Sequence, residues 1–341
     1  MLKNTGNSRR NYTGFLWHAI FLSITLTFTD VNSVMPAMIL RIGGKELHIG
    51  IVSAIMIGVP LMAKLFFTGF LQGKSKKKPY LLTGIYLRVL SLGLIALTLF
   101  NLTRINSGIL MALIYIELLM FTISGAFAGI SYIDLIGKSF NPALRKKFFG
   151  RKQIISSAGI LISAVTARQL LRVVTFPYNY MVLFATASTI LLIATAGFWM
   201  IREKPGPNTK REGYLKTLGR IPSVLRNDPT LRKYLWYLNT VGFHTALIPF
   251  YVAYAKQSYY LDESVTGNLL LFHIGGSVLA SILWPRVLRR GGFKGILKIW
   301  SLVSAVLPFV AILVGRYLPL PVYLVLFIGT GLSFSAQMIT Q

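Results

Sequence analysis

The chain has no cysteine among its 341 residues and only nine acidic residues. Without cysteine there is no disulfide, no thiolate metal site and no cysteine nucleophile. Nine carboxylates leave few ligands for a divalent metal. Charged residues make up 13% of the chain, where a soluble domain carries roughly 25%. A soluble protein of this size would lack the polar surface to cover itself. An ordinary cytosolic enzyme, a disordered chain and a secreted disulfide scaffold are therefore excluded. There is no phosphate-binding P-loop, which speaks against direct ATP coupling. No paired-carboxylate or His-rich motif marks a membrane glycosyltransferase or metalloprotease. Neither enzymatic activity nor a cofactor is expected.

What is present is apolar: 54% of the residues are hydrophobic, and the mean hydropathy is +0.62. Crossing the hydrocarbon core takes about 20 mostly apolar residues. Ten stretches qualify: 12–35, 47–71, 80–100, 108–133, 154–173, 178–201, 234–255, 265–284, 296–314 and 322–339. Most exceed the ~10–14 residues of a buried soluble helix. Strand-type alternation is missing, so the expected class is an all-α polytopic membrane protein and not a β-barrel. The first stretch follows Lys3, Arg9 and Arg10 as a signal peptide would. Its length, the interruption at Asp30 and the lack of a small-residue cleavage site make it an uncleaved first span.

The net charge is +27. In a soluble protein so basic a chain would suggest nucleic acid. Here the positions of the charges give another reading. If the N-terminus is inside, 27 of the 36 Lys and Arg fall in the N-terminal tail and in the connections after spans 2, 4, 6 and 8. Seven fall on the other side, and Lys64 and Arg88 lie within spans. This loop-by-loop alternation follows the positive-inside rule and places both termini in the cytoplasm. Lipid is thus the expected partner and nucleic acid is not. The expected setting is a bacterial inner membrane.

A long basic connection, 202–233, divides the spans into six and four. The expected organisation is a cytoplasmic tail (1–11), a six-helix bundle (12–201), a linker (202–233) and a four-helix bundle (234–341). The linker opens with Pro205, Gly206 and Pro207, a breaker cluster. Within it Tyr214, Leu215, Leu218, Ile221 and Leu225 share one helical face, while Lys216, Arg220 and Arg226 share the other. Two readings stay open: a helix lying on anionic lipid, or a basic loop packed on the protein.

Several short motifs stand at connections of this pattern. After span 2, Gly69, Lys74, Lys77 and Lys78 match a glycine followed by basic residues. After span 8, the run 284–294 begins Trp-Pro-Arg and includes Arg286, Arg289 and Arg290. Residues 145–153 form a basic segment around Phe-Phe-Gly, and Asn227-Asp228-Pro229 opens span 7. In this order, and over nearly the whole chain, they resemble the major facilitator superfamily. The resemblance implies bundles of transmembrane helices and secondary transport of a small solute by alternating access, with protons as the expected coupling ion. Two departures matter. Gly73 and Arg289 stand where the family has aspartates that lock inner gate contacts, and Lys76 replaces the motif's second glycine. The family has twelve spans, so the expected second bundle is two helices short. On that basis the chain alone is not expected to transport, and either a partner supplying two spans or a homo-oligomer covering the gap would restore transport. The rival readings are a non-transporting membrane scaffold or assembly factor on a facilitator-like body, and a fragment of a split gene.

An ionised residue at the bilayer centre costs roughly 2.5–3.5 kcal/mol on insertion scales, so each one calls for a reason. Asp30, Glu117 and Arg168 share a depth to within about 8 Å at 1.5 Å per residue. In the resembled fold spans 1 and 4 line the cavity and span 5 is near, so the three are candidates for a substrate or proton site. The other reading is a static ion pair, or for Arg168 a side chain reaching out to the headgroups. His244 and His273 are further candidates for a proton relay, or else interhelical hydrogen-bond partners. Lys64, Arg88 and Asp134 are read as lying near inner span ends. With Gly69, Lys74, Lys77, Arg286 and Arg290 they are the inner gate candidates. Ser124, Gly125, Ala126, Ala128 and Gly129 form a small-residue stripe suited to close helix packing.

Overall fold

The computed structural model describes residues 6–206, 214–259 and 263–340. Among these the regular structure is helical, and no strand occurs. The helices are α1 (Gly6–Phe28), α2 (Val34–Arg41), α3 (Glu46–Ser53), α4 (Val59–Gln72), α5 (Lys78–Phe100) and α6 (Ser107–Ser139). They continue with α7 (Pro142–Val173), α8 (Tyr178–Met200), α9 (Tyr214–Asn227), α10 (Pro229–Tyr259), α11 (Glu263–Tyr317) and α12 (Leu320–Thr340). Among the described residues, seven helical segments are long and apolar enough to cross a membrane. One of them, Val265–Tyr317, carries two of the ten apolar stretches. The remaining two stretches correspond to α1 and α10. Asn11, His18 and several threonines lower the hydropathy of α1, and Arg232, Lys233, Asn239 and His244 lower that of α10.

Four stretches depart from a simple span. The first is two helices with a break at residues 29–33. The Asp30 carboxylate accepts hydrogen bonds from the Asn32 N–H at 3.1 Å and the Ser33 hydroxyl at 2.6 Å. An aspartate that bonds the backbone two residues on stabilises a turn in competition with the helix. The second stretch runs through a π-turn at Ala54–Gly58 between α3 and α4. Pro60 follows at once, and having no N–H it cannot bond the Met56 carbonyl. The eighth and ninth stretches are joined more tightly than expected. Helix continues through the basic residues 285–291, and the break is Gly292 alone, at φ 60° and ψ −165°. Only glycine adopts that conformation cheaply.

The linker does contain a helix, α9, with Pro222 inside it. Ile221, Arg220 and Arg226 are exposed and Leu225 is half-buried. The side chains of Tyr214, Leu215, Lys216 and Leu218, and residues 207–213, lie outside the described parts.

The chain forms two compact units. The first comprises Met1–Thr29, Ile51–Ser163 and Thr175–Gly219. In it α5 and α6 pack at very short range. A Cβ on Gly84 would lie 2.8 Å from the Ser124 carbonyl oxygen and 2.9 Å from the Ala128 Cβ, so the small-residue stripe serves close packing. At its basic end, rings of α1, α6, α7 and α8 interlock: Phe15 meets Tyr132, Phe140, Phe148 and Phe198 at centroid distances of 5.5–6.2 Å. Asn11 ties α1 to this end, donating to Ser139 Oγ and to the Arg202 carbonyl.

The second unit comprises Asp30–Gly50, Ala164–Val174 and Arg220–Gln341. Here α2 packs on α10 and α11, and α11 packs along α12. Ala280, Trp284, Ile296, Trp300 and Ala336 form a buried apolar cluster. The Trp300 indole N–H donates to Ser333 Oγ at 3.2 Å.

Candidate functional site

The three charges expected to share one site take separate partners. Glu117 lies in the first unit, on α6 against α5, and is 6% exposed. Its Oε1 accepts from the Thr98 hydroxyl at 2.7 Å, and its backbone carbonyl accepts from Ser91. Oε2 is buried with no hydrogen-bond partner among the described residues. Asp30 and Arg168 lie in the second unit. Asp30 is engaged with its own turn, as described. The Arg168 guanidinium donates from Nε to Asn268 Oδ1 at 2.5 Å. Within their own units, Asp30 and Arg168 are held by neutral hydroxyl and amide groups, and one oxygen of Glu117 by a hydroxyl.

Arg88 was expected near a span end. It is the eleventh residue of α5, about 15 Å along the helix. Its guanidinium lies 4.2 Å from the centroid of the Phe121 ring, a cation–π geometry. Its Nε is buried without a hydrogen-bond partner among the described residues. Arg88, Ser91 and Thr98 on α5 therefore face Glu117, Phe121 and Gly125 on α6. Sequence reasoning missed this polar seam, although spacings of three to four residues on each helix carry it.

The second unit contains both the break in span 1 and a set of buried polar groups. Asn32 is 0% exposed, and neither atom of its amide has a partner among the described residues. On α10, His244 is 4% exposed, with both ring nitrogens unpartnered. Its ring lies 6.4 Å from that of Tyr251. The hydroxyls of Thr245, Tyr251 and Thr266 are likewise buried without partners. His273 on α11 is different. Its Nδ1 lies 2.8 Å from Thr330 Oγ1, and that hydroxyl donates its own hydrogen to the Phe327 carbonyl. Nδ1–H is therefore the donor, which fixes the ring's orientation.

The basic end of the first unit holds a network around a residue that sequence reasoning passed over, Glu203. Its carboxylate accepts from the backbone N–H groups of Lys77 and Lys78, at 2.7 and 2.9 Å. It thereby caps the N-terminus of α5, where the helix dipole favours an anion. Lys138 pairs with Glu203 and with Asp134, each at 3.1 Å, and also donates to the Ser75 carbonyl. Lys77 is buried, and its ammonium donates to the Leu71 carbonyl. Burial pushes the Lys77 ammonium below the ordinary lysine value, and Asp134 and Glu203 oppose that shift. The Lys78 ammonium donates to the Trp199 and Ile201 carbonyls at the end of α8. One signal pointed to Glu203: it is one of only nine acids and stands in a segment that is otherwise basic.

Of the gate candidates, Lys77 and Asp134 belong to this network. Lys74 lies over the Phe70 and Tyr80 rings. Lys64 is exposed on α4. Gly69 has open space where a Cβ would stand. Arg286 and Arg290 are exposed, Arg286 donating to the Ile282 carbonyl. The expected opening of span 7 is present: Asp228 Oδ1 accepts from the Leu231 N–H at 2.8 Å, with Pro229 as the first residue of α10.

The helix order, the capped basic connections and the interrupted spans can be set beside known proteins. The family model of the Major Facilitator Superfamily matches residues 20–341. The chain belongs to this family. It is an integral membrane protein and a transporter of the facilitator type. No curated protein matches it by sequence. Among solved structures, this facilitator is similar to a bacterial homologue of the iron transporter ferroportin in its inward-facing state. That match has 14% identity and a TM-score of 0.63, over 97% of this chain and 83% of that one. It is similar to the nucleoside transporter NupG at 12% identity and a TM-score of 0.60, over 98% and 81%. The D-xylose–proton symporter matches at 12% identity and a TM-score of 0.60, over 95% and 80%. At such identities the likeness is one of fold.

Proposed function

We propose that this facilitator carries a small polar solute by alternating access, coupled to protons, with its solute site at the break in span 1. The observation that carries the reading is Asn32, a fully buried amide without a partner in the interrupted part of a membrane helix. Leaving a buried polar group unpaired costs about 1–3 kcal/mol. Asn32, His244, Thr245, Tyr251 and Thr266 all carry such groups in the second unit. A solute with several hydrogen-bonding groups would satisfy them. Interrupted helices at a binding site are a recurring device in transporters, because they free backbone groups inside the membrane. The names of the nucleoside transporter and the D-xylose–proton symporter suggest the class of solute and the coupling ion. Glu117 is proposed as the proton carrier, and His273, oriented by Thr330, as a relay. The basic side is assigned to the cytoplasm by the positive-inside rule.

The test is to reconstitute the purified chain in liposomes and measure uptake of nucleosides and pentoses with and without an imposed proton gradient. Asn32→Leu and His244→Leu should each lower saturable uptake by roughly fivefold or more, as expected for lost hydrogen bonds of about 1 kcal/mol or more. Uptake that is unchanged in both variants would place the solute elsewhere.

A further inference from the structure

Away from the polar groups of the transport reading, a cleft of about 560 Å³ opens between the first turns of α1 and α7, in the first unit. The two helices touch deeper in the unit. There the Ser156 hydroxyl reaches the Ala19 carbonyl, and a Cβ on Gly159 would lie 3.1 Å from Ser23 Oγ. Nearer the basic end Phe148 of α7 meets the Tyr12 and Phe15 rings of α1 at 5.6 and 6.0 Å, and residues of both helices line the cleft.

Along α1 the cleft runs from a charged residue, Arg9, to an apolar one, Ile20. Arg9, Lys147 and Arg151 line it, and among the described residues its lining contains no acid. Tyr12 also lines it, and the Tyr12 hydroxyl is buried without a partner among the described residues. Leu16, Ile20 and Leu144 make the rest of the wall apolar. Ile20 lies about 16 Å further along α1 than Arg9. Trp17, 39% exposed and held by its N–H on the Ile193 carbonyl, stands at the edge, as indoles do at a membrane interface.

We propose that this cleft binds one anionic glycerophospholipid from the leaflet on the basic side of the protein. Its phosphate would sit among Arg9, Lys147 and Arg151, its ester or phosphate oxygen would accept from Tyr12, and an acyl chain would lie along Leu16 and Ile20. Three cations with no acid select an anionic headgroup. A free phosphate would use the cations and leave the apolar length of the cleft unfilled. The lipid fills both, and burial of its methylenes adds to the binding.

The experiment is native mass spectrometry of the full purified chain, equilibrated with equal amounts of phosphatidylglycerol and phosphatidylcholine. The wild type should retain phosphatidylglycerol in preference, and the triple variant R9Q/K147Q/R151Q should lose that preference. The loss should be on the order of a hundredfold, from about fivefold per cation near a membrane surface. Removing the same charge elsewhere, as R289Q/K294Q/K298Q, should leave the preference in place. Leu16→Trp, which fills the apolar part and keeps every cation, should also abolish retention, and it decides the matter if the triple variant does not fold. Millimolar inorganic phosphate should not displace the lipid. Undiminished preference in either cleft variant would overturn the proposal. So would equal loss in the R289Q/K294Q/K298Q control, which would mean diffuse surface charge. Displacement by inorganic phosphate would make the site one for a free anion and would also overturn it.

Discussion

The Arg168 guanidinium and the Asn268 side-chain carbonyl are 2.5 Å apart, joining the last turns of α7 to the start of α11 across 100 residues of sequence. The contact is backed by close packing of the helices themselves. A Cβ on Gly267 would lie 2.6 Å from the Arg168 Cα. A charged side chain inside a membrane protein has thus been given a neutral interhelical partner, with the neighbouring glycine allowing the approach.

This pair predicts a measurable coupling. In a double-mutant cycle of Arg168→Ala and Asn268→Ala, the interaction should be about 0.6 kcal/mol and no more than about 1.7 kcal/mol, the range for interhelical hydrogen bonds in membranes. Unfolding of the detergent-solubilised protein reads it. Asp30→Asn should not rescue Arg168→Ala, since Asp30 bonds its own turn. Gly267→Leu should cost more than either alanine variant, because it forces two backbones apart.

Removal of the Glu203 carboxylate should destabilise the first unit. Glu203→Ala deprives two N–H groups of α5 and the Lys138 ammonium of their acceptor. Hydrogen bonds to a charged group contribute about 1.5–3 kcal/mol each, discounted here because water reaches a vacated helix end. A drop of about 2 kcal/mol is expected in thermal or denaturant unfolding, with Glu203→Gln intermediate. Equal stability of wild type and Glu203→Ala would show that the cap contributes nothing.

Glu117→Gln tests the proton-carrier role. The glutamine keeps the acceptor for the Thr98 hydroxyl but cannot gain or lose a proton. Proton-driven accumulation should be lost while solute exchange at equal pH persists. Accumulation that survives the substitution assigns the carrier to another residue. Thr98→Val should be milder, because it removes one neutral donor and leaves the carboxyl in place.

Topology is open to a direct check. Reporter fusions at Arg104 and Lys256 should report one side of the membrane, and fusions at Lys77 and Arg220 the other. The segment around Arg220 on the same side as Arg104 would contradict the orientation taken from charge.

The break in span 1 shows how far a sequence reading goes. Asp30 was legible as an interruption of an apolar run, since a carboxylate there has no cheap place in lipid. That it ends one helix and begins another depends on its reach to Asn32 and Ser33. The basic connections were legible as one-sided charge. Their anchoring by Glu203 was not, because the contacts that join the three segments there span 63, 65 and 126 residues.

Span number, class and charge asymmetry were determined by the sequence alone, because apolar length and the side on which charges accumulate are read along one dimension. Partners were decided by the tertiary structure. A membrane helix is apolar all round, since lipid tails and helix neighbours are equally apolar. Its sequence therefore carries little record of which face turns inward. Whether Glu117 meets Arg168 or Thr98, and whether Arg168 reaches the headgroups or Asn268, depends on the rotation of each helix about its own axis. That rotation is set by small-residue contacts such as Gly84 on Ser124 and Gly267 on Arg168, which exist only once the helices are packed.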